Sequence, residues 1–267
     1  MKPTFRKLIP HYLLLCLVLF FVLLPLWGML SKAFENPDPG SFGALANFKR
    51  AWTVGKFGLF FKNSLIVALI VTAISVLLSI LSGYAFGKLS VSGKSLLLPL
   101  ILLGYMVPFD AAIIPLYNWM RSLGLTDTLW ALILPQIGLS VSFGTLWMSS
   151  YFESLPDELV DQATIDGCSR WQVLWKVLMP IARPASSTLI VLIFMWTWNE
   201  FLLALVMIQK ESLRTLPVGL AFFQGRYSAN IPLMAAGAII VALPTLLLYI
   251  FFQKQFLQGL SSGAIKG

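Results

Sequence analysis

Charged residues, histidine and cysteine are all scarce in this chain. Only 11% of the 267 residues are Asp, Glu, Lys or Arg, and the single histidine is His11. One histidine excludes most acid–base mechanisms that use imidazole, and no group of Cys and His residues has the spacing of a metal site. Cys16 lies in an apolar run and Cys168 in a polar passage, so we expect no disulfide between them. No feature of the sequence predicts an enzyme, a metal site or a cofactor on this chain.

A phosphate-binding loop is also missing. Gly93-Lys94-Ser95 resembles the end of the pattern G-x-x-x-x-G-K-[ST], but Lys88 stands where the first glycine belongs. The tripeptide lies between two apolar segments, with no core strand before it. Any ATP chemistry on which this chain depends is therefore expected on another chain.

Apolar residues are what the sequence has in abundance. They make up 58% of the chain, and the mean hydropathy is +0.84. So few charges cannot coat a soluble globule, which predicts an integral membrane protein in contact with lipid. The net charge of +8 would indicate nucleic acid as a partner in a soluble domain. Here the basic residues are scattered among loops, where they are interpreted as topology signals and headgroup contacts, so no nucleic-acid partner is expected.

Six apolar segments are long enough to cross a membrane, which takes about 20 residues. They are residues 12–30, 64–86, 96–120, 129–148, 185–208 and 232–252. The predicted fold is all-α, a polytopic membrane bundle of six transmembrane helices. Its parts are an N-terminus at residues 1–11, a transmembrane domain at 12–252 and a C-terminal tail at 253–267. Basic residues divide almost evenly between the two sides, but the basic cluster before the first segment favours cytoplasmic termini.

A polar passage, residues 154–180, separates the fourth and fifth segments and is expected in the cytoplasm. Its pattern predicts two short amphipathic helices, the first capped by Ser154 and the second by Ser169 with Gln172. Asp166-Gly167 predicts the turn between them, because glycine takes positive φ freely. Such a helical pair fits either a groove of another protein or the headgroup layer of a membrane.

Two segments contain candidates for a transport pathway. The third segment is interrupted by prolines and holds Asp110, and a broken helix with a carboxylate at membrane depth usually lines a cavity. The alternative places Asp110 at the outer interface. The cluster at residues 196–200 combines aromatic faces for a sugar ring with an amide and a carboxylate for its hydroxyls. Its alternative is an aromatic belt with a polar packing pair. The candidate pathway residues are Asp110, Trp198, Asn199 and Glu200.

A stripe of small residues follows the second segment at intervals of four. Its members are Ser75, Ser79, Gly83 and Gly87. Small residues in such a row let a second helix approach closely, so the stripe predicts helix packing.

The polar passage resembles the cytoplasmic signature loop of permease subunits in binding-protein-dependent ABC importers. That motif reads E-A-A, three residues and G, and here it is Asp161-Gln162-Ala163, then Thr164-Ile165-Asp166 and Gly167. The first Glu and one Ala of the motif are replaced by Asp161 and Gln162. Further passages resemble the six-helix partner of maltose-type oligosaccharide importers; they are residues 114–117, 123–128, 198–201, 216–220 and the tail 259–267.

The resemblance implies a type I ABC importer permease fold in a prokaryotic plasma membrane. It implies a pathway for a sugar formed with a second, non-identical permease, two copies of a cytoplasmic ABC ATPase that hold ATP and Mg, and an extracytoplasmic solute-binding protein. Residues 151–183 would be the coupling loop, seated in a cleft of the ATPase. Its expected ATPase-coupling residues are Glu158, Leu159, Asp161, Ala163, Asp166, Gly167, Trp171 and Leu174. The tail residues expected at the ATPase interface are Gly259, Gly263, Lys266 and Gly267.

Three alternatives remain open at this point. The same importer class could carry another solute, such as glycerol phosphate, for which basic cavity residues would be expected. A secondary transporter would need no ATPase and often shows inverted repeats. A membrane scaffold would leave the broken third segment unexplained.

Overall fold

The computed structural model describes the backbone of residues 5–35, 45–226 and 230–264. These residues contain thirteen α-helices and no strand. The helices are α1 (Phe5–Ala33), α2 (Ala46–Val54), α3 (Phe57–Lys88), α4 (Lys94–Met106), α5 (Phe109–Ser122), α6 (Trp130–Ser154), α7 (Glu158–Ile165), α8 (Arg170–Gln172), α9 (Met179–Ile181), α10 (Arg183–Trp198), α11 (Leu202–Met207), α12 (Leu216–Arg226) and α13 (Ile231–Ala264). A π-helical segment, Val173–Leu178, joins α8 to α9, and a 3₁₀ turn, Glu211–Leu213, follows α11.

Four helices are long and apolar enough to cross a membrane by themselves: Pro10–Ala33 within α1, α3, α6, and Ile231–Gln253 within α13. Two further pairs reach this length together, although each is sharply bent. The bend is 92° between α4 and α5, and 81° between the segment Arg170–Ile181 and α10. Counting each bent pair as one span gives up to six spans. The predicted interruption of the third segment is confirmed at Val107 and Pro108, between α4 and α5.

The fifth apolar segment differs from the expected single span over residues 185–208. It is divided into α10 and α11, which are separated at residues 199–201. The Asn199 amide donates a hydrogen bond to the Met195 carbonyl (2.8 Å), and the Glu200 carboxylate accepts one from the Leu203 N–H (2.5 Å). These side chains satisfy backbone groups at the two helix ends, which stabilises the break.

The chain divides into two compact units. The first comprises Met1–Gly58 and Gly219–Leu243. In it, the buried Asn47 amide donates to the carbonyls of Ala33 (3.0 Å) and Glu35 (2.8 Å), which ties α2 to the end of α1. Residues 10–28 of α1 are exposed, whereas Ala33 at its end is buried.

The second unit comprises Leu59–Val218 and Pro244–Gly267, and within it α3 approaches α6 closely. A β-carbon added at Gly87 would lie 2.7 Å from the Cβ of Phe152, and Ser75 and Ser79 are fully buried. The hydroxyls of Ser82 and Thr145 hydrogen bond across the same contact at 2.7 Å. The packing role predicted for the small-residue stripe is confirmed.

Hydrogen bonds at the two ends of the second unit agree with alternating spans. At one end, Lys88 and Lys94 form ion pairs with Asp157 and Glu153, which joins the loop after α3 to the loop after α6. At the other end, Asn63 donates to the carbonyls of Ser212 (2.9 Å) and Arg214 (3.0 Å). Successive loops therefore lie at opposite ends of this unit.

Asp127 joins two loops at that second end. Its carboxylate accepts hydrogen bonds from the backbone N–H groups of Gln209 (2.6 Å) and Lys210 (2.8 Å), and its own N–H donates to the Met207 carbonyl (3.1 Å). The N–H of Lys210, together with that of Gln209, holds the pKa of the Asp127 carboxyl below its usual value. Asp127 has a positive φ of 58°, a conformation that Asp tolerates better than most residues.

Candidate functional site

The polar passage folds into two helical arms joined by a tight turn. The first arm is α7, and the second runs from α8 through the π-helical segment to α9. Gly167 has a φ of +83°, as predicted for the turn. The predicted cap of the second arm is also confirmed: the Gln172 N–H donates to the Ser169 hydroxyl (3.4 Å), and the Ser169 N–H donates to the side-chain amide oxygen of Gln172 (2.8 Å).

The predicted cap of the first arm is wrong. Ser154 is the last residue of α6, and its hydroxyl donates to the Tyr151 carbonyl (2.7 Å) instead of an N–H of the next helix. α7 begins only at Glu158, after Asp157, and no side chain caps it. The short connection at residues 155–157 separates the two helices, so Ser154 cannot reach the first turn of α7.

The inner face of the polar passage packs against the chain itself. Ala163 and Leu174 are buried in the same core as Tyr84 and Phe152. Leu174 has no exposed surface and Ala163 almost none, so within this chain both side chains hold the passage in place. Their expected contact with an ATPase stays a prediction. Leu159 is half-buried.

The outer face of the passage combines acids with two large apolar side chains. Ile165 is 84% exposed and Trp171 60% exposed. We call the following exposed residues the docking face: Glu158, Asp161, Ile165, Asp166 and Trp171. The helical pattern of the sequence did not select Ile165, because it is out of phase with the buried Ala163. Only the position of Ile165 directly before the Asp166-Gly167 turn could have identified it from the sequence.

A cavity of about 400 Å³ lies in the second unit, at the bend between α4 and α5. Its wall comes from three stretches of the chain, which contribute Tyr105, Met106, Val107, Pro108 and Phe109, then Gln136, Leu139 and Ser140, and finally Trp196, Thr197 and Glu200. The prediction that the broken third segment lines a cavity is confirmed. Aromatic faces with a few polar groups are a common composition for a site that binds a small polar ligand.

Only part of the predicted pathway cluster reaches this cavity. Glu200 lies on the wall, and so does Trp196, whereas Trp198 is only 1% exposed and packs in the protein core. The Trp198 ring stacks on Phe194 with centroids 5.8 Å apart and meets the edge of Phe61 at 5.3 Å. Trp198 is therefore a packing residue and not a wall residue of this cavity.

The remaining two candidates lie beside the cavity. Asn199 is exposed and is not among the wall residues. Asp110 is exposed in the first turn of α5 and is likewise not among the wall residues. Gln136, on α6, was not among the candidate pathway residues. It reaches the wall, where its amide donates to the Leu132 carbonyl (3.0 Å). Within the described part of the chain, no three Asp, Glu, His or Cys residues are grouped so as to hold a metal.

Comparison with known proteins identifies the family. Residues 75–256, which include the polar passage and every wall residue of the cavity, match the family described as "Binding-protein-dependent transport system inner membrane component". The chain belongs to this family. The permease is therefore a multi-pass membrane protein that works with a binding protein, and the resemblance to ABC importer permeases is confirmed.

Two relatives and one solved structure give the range of similarity. The permease is 39% identical over 223 residues to the sulfoquinovosyl glycerol transport system permease protein SmoH of Agrobacterium fabrum, covering 84% of this chain and 78% of that protein. It is 33% identical over 260 residues to the trehalose transport system permease protein SugB of Mycobacterium tuberculosis, covering 94% and 95%. A chain in the crystal structure of a bacterial ABC transporter involved in the import of alginate, an acidic polysaccharide, matches with a TM-score of 0.75 and 23% identity, covering 96% and 99%. This last likeness supports the type I ABC importer permease fold.

Proposed function

We propose that this permease carries a sugar or oligosaccharide into the cell, and that the cavity at the bend between α4 and α5 contacts the sugar in transit. The cavity is the observation that carries the proposal. Trp196, Tyr105 and Phe109 offer ring faces to the apolar sides of a sugar, while Glu200 and Gln136 offer hydrogen-bonding groups to its hydroxyls. SmoH and SugB are named as permease proteins of transport systems for sulfoquinovosyl glycerol and trehalose, which supports a sugar or oligosaccharide as the solute.

A phosphorylated solute such as glycerol phosphate fits this cavity less well. The described wall residues include the carboxylate Glu200 but no Lys or Arg. An anionic phosphate would meet a like charge there without a cation to balance it.

Energy for transport comes, in this proposal, from a separate ABC ATPase that holds ATP and Mg. The permease itself catalyses no reaction and binds no cofactor. The docking face supports an ATPase partner, because Trp171 and Ile165 offer apolar contact and the acids offer partners for basic residues. The complete importer would contain a second, non-identical permease, two ATPase copies and the solute-binding protein, with both termini of this chain in the cytoplasm.

The structure describes only part of the C-terminal tail that is expected to contact the ATPase. Gly259 and Gly263 lie near the end of α13, where the backbone is described. Lys266 and Gly267 lie outside the described residues. Contact of this tail with the ATPase, like the division of the chain into residues 1–11, 12–252 and 253–267, stays a prediction.

Uptake by the host cell tests the proposal. We expect deletion of the coding region to abolish uptake of one labelled sugar from a panel that includes trehalose, maltose and sulfoquinovosyl glycerol, and the intact gene to restore it. Membrane vesicles loaded with ATP should take up that sugar, while vesicles loaded with a non-hydrolysable ATP analogue should not. Uptake that continues without ATP and stops when the proton gradient is collapsed would instead identify a secondary transporter.

A further inference from the structure

The C-terminal turns of α3 hold both arms of the coupling loop, residues 151–183. The Lys88 ammonium donates to the Leu155 carbonyl (2.6 Å) and pairs with the Asp157 carboxylate, just before α7. One turn earlier on α3, the Tyr84 hydroxyl donates to the carbonyl of Arg170 (3.1 Å), the first residue of α8. Residues four apart on a helix lie on one face, so a single face of α3 contacts the start of each arm.

Two lysines that look equivalent in the sequence differ in their surroundings. In the Lys88–Asp157 pair the lysine side chain is 3% exposed and the aspartate side chain 84%, whereas in the Lys94–Glu153 pair both side chains are partly exposed, at 36% and 46%. A buried ammonium depends on its hydrogen-bond acceptors, because water no longer solvates it. An exposed ion pair contributes little to the free energy of folding. The Lys88 contact is therefore the stronger attachment of the loop.

The packing of α3 against α6 connects Lys88 with the wall of the cavity. Gly87 packs against Phe152, and Gly83 packs against Met148, so closely that a β-carbon on either glycine would overlap its neighbour. Such close packing prevents the two helices from sliding independently. α6 also carries Gln136 and Ser140, which lie on the wall of the cavity.

We propose that Lys88 is a positioning residue for energy coupling. Its buried ammonium fixes the coupling loop to α3, so that displacement of the loop by an ATPase moves the α3–α6 pair and with it the cavity wall. The inference rests on the proposed function, because it takes the coupling loop as the docking site of the ATPase.

The test compares sugar transported with ATP hydrolysed in the same proteoliposomes, which contain the permease with its partner subunits. Lys88→Met keeps an apolar stem of the same length and removes the ammonium. We expect the amount of sugar carried per ATP to fall about tenfold, the factor that corresponds to one hydrogen bond to a charged group, while ATP hydrolysis continues. Lys88→Arg should restore most of the ratio, since a guanidinium can donate to the same two acceptors.

Lys94→Met is the matched control, and its ratio should stay within about twofold of the wild type because its ion pair is exposed. Asp157→Asn should lower the ratio less than Lys88→Met does, because the bond to the Leu155 carbonyl remains. An unchanged ratio in Lys88→Met would overturn the inference. So would a loss of transport and of ATP hydrolysis in equal proportion, accompanied by a lower melting temperature, since that is the result of a purely structural role. If the wild-type complex itself shows no ATP-dependent sugar transport, the proposed function fails, and this inference fails with it.

Discussion

Gly83 of α3 lies directly against Met148 of α6, with no space for a side chain between them. A β-carbon at Gly83 would lie 2.9 Å from the backbone carbonyl carbon of Met148 and closer still to its Cβ. Relief would require movement of the α6 backbone and not only of a flexible side chain.

We therefore expect Gly83→Ala to destabilise the permease by roughly 1–3 kcal/mol, the usual cost of overpacking a close contact. The measurement is the melting temperature of the detergent-solubilised protein. Gly138→Ala in α6 is the matched control, because nothing lies within 4 Å of a β-carbon at that position. Equal melting temperatures for the two variants would contradict the close packing of α3 on α6.

Asp127 should make the stability of the second unit depend on pH. Its pKa is lowered in the folded protein by the N–H groups of Lys210 and Gln209. The stabilisation is present above the ordinary aspartate pKa of about 3.9 and is lost as the pH falls through the lower folded value. We expect the melting temperature of the wild type to decrease more than that of Asp127→Asn between about pH 6 and pH 3.

Asparagine is the appropriate replacement at position 127, because it tolerates the positive φ and its amide oxygen can still accept a hydrogen bond. Only the titratable charge is removed. Parallel pH profiles for the wild type and Asp127→Asn would show that the carboxylate does not contribute to this acid sensitivity.

Glu200 has two separable roles, one in the fold and one at the cavity. Its carboxylate accepts the Leu203 N–H at the start of α11, and it also lies on the cavity wall. Glu200→Gln keeps an acceptor for that N–H, whereas Glu200→Ala removes it. We expect both variants to reduce sugar uptake. Only Glu200→Ala should lower the melting temperature, because loss of the acceptor costs about 1 kcal/mol of unfolding free energy.

Association with the ATPase should be unchanged in both Glu200 variants, because Glu200 is not part of the coupling loop. Co-purification of the ATPase checks this point. Uptake kinetics of Glu200→Gln that match the wild type would restrict Glu200 to its role in the fold.

Trp171 and Leu174 should respond differently to truncation although both belong to the second arm of the polar passage. Trp171 is exposed, so Trp171→Ala should reduce ATPase co-purification with little change in melting temperature. Leu174 is fully buried, so Leu174→Ala should cost about 2–5 kcal/mol of folding stability. Normal ATPase recovery with Trp171→Ala would remove Trp171 from the proposed docking face.

Several features of the fold could be predicted because they depend on neighbouring residues. The Ser169–Gln172 cap, the positive φ of Gly167 and the interruption at Pro108 each follow from local backbone chemistry. The small-residue stripe could be found for a similar reason, since residues four apart share one face of a helix.

The orientation of side chains in the site could not be predicted in the same way. Trp196 and Trp198 are about 200° apart around α10, and the sequence does not say which of them faces the cavity. Packing against Phe61 and Phe194 places Trp198 in the core and leaves Trp196 on the wall.

Hydropathy and turn chemistry act over a few consecutive residues, so the amino-acid order alone predicts an all-α membrane protein with a polar loop between apolar spans. Three-dimensional packing sets which side of that loop is exposed, which tryptophan reaches the cavity and which lysine is buried. These outcomes depend on contacts between distant positions, such as Tyr84 with Arg170 and Lys88 with Leu155, and the sequence holds no local record of such contacts.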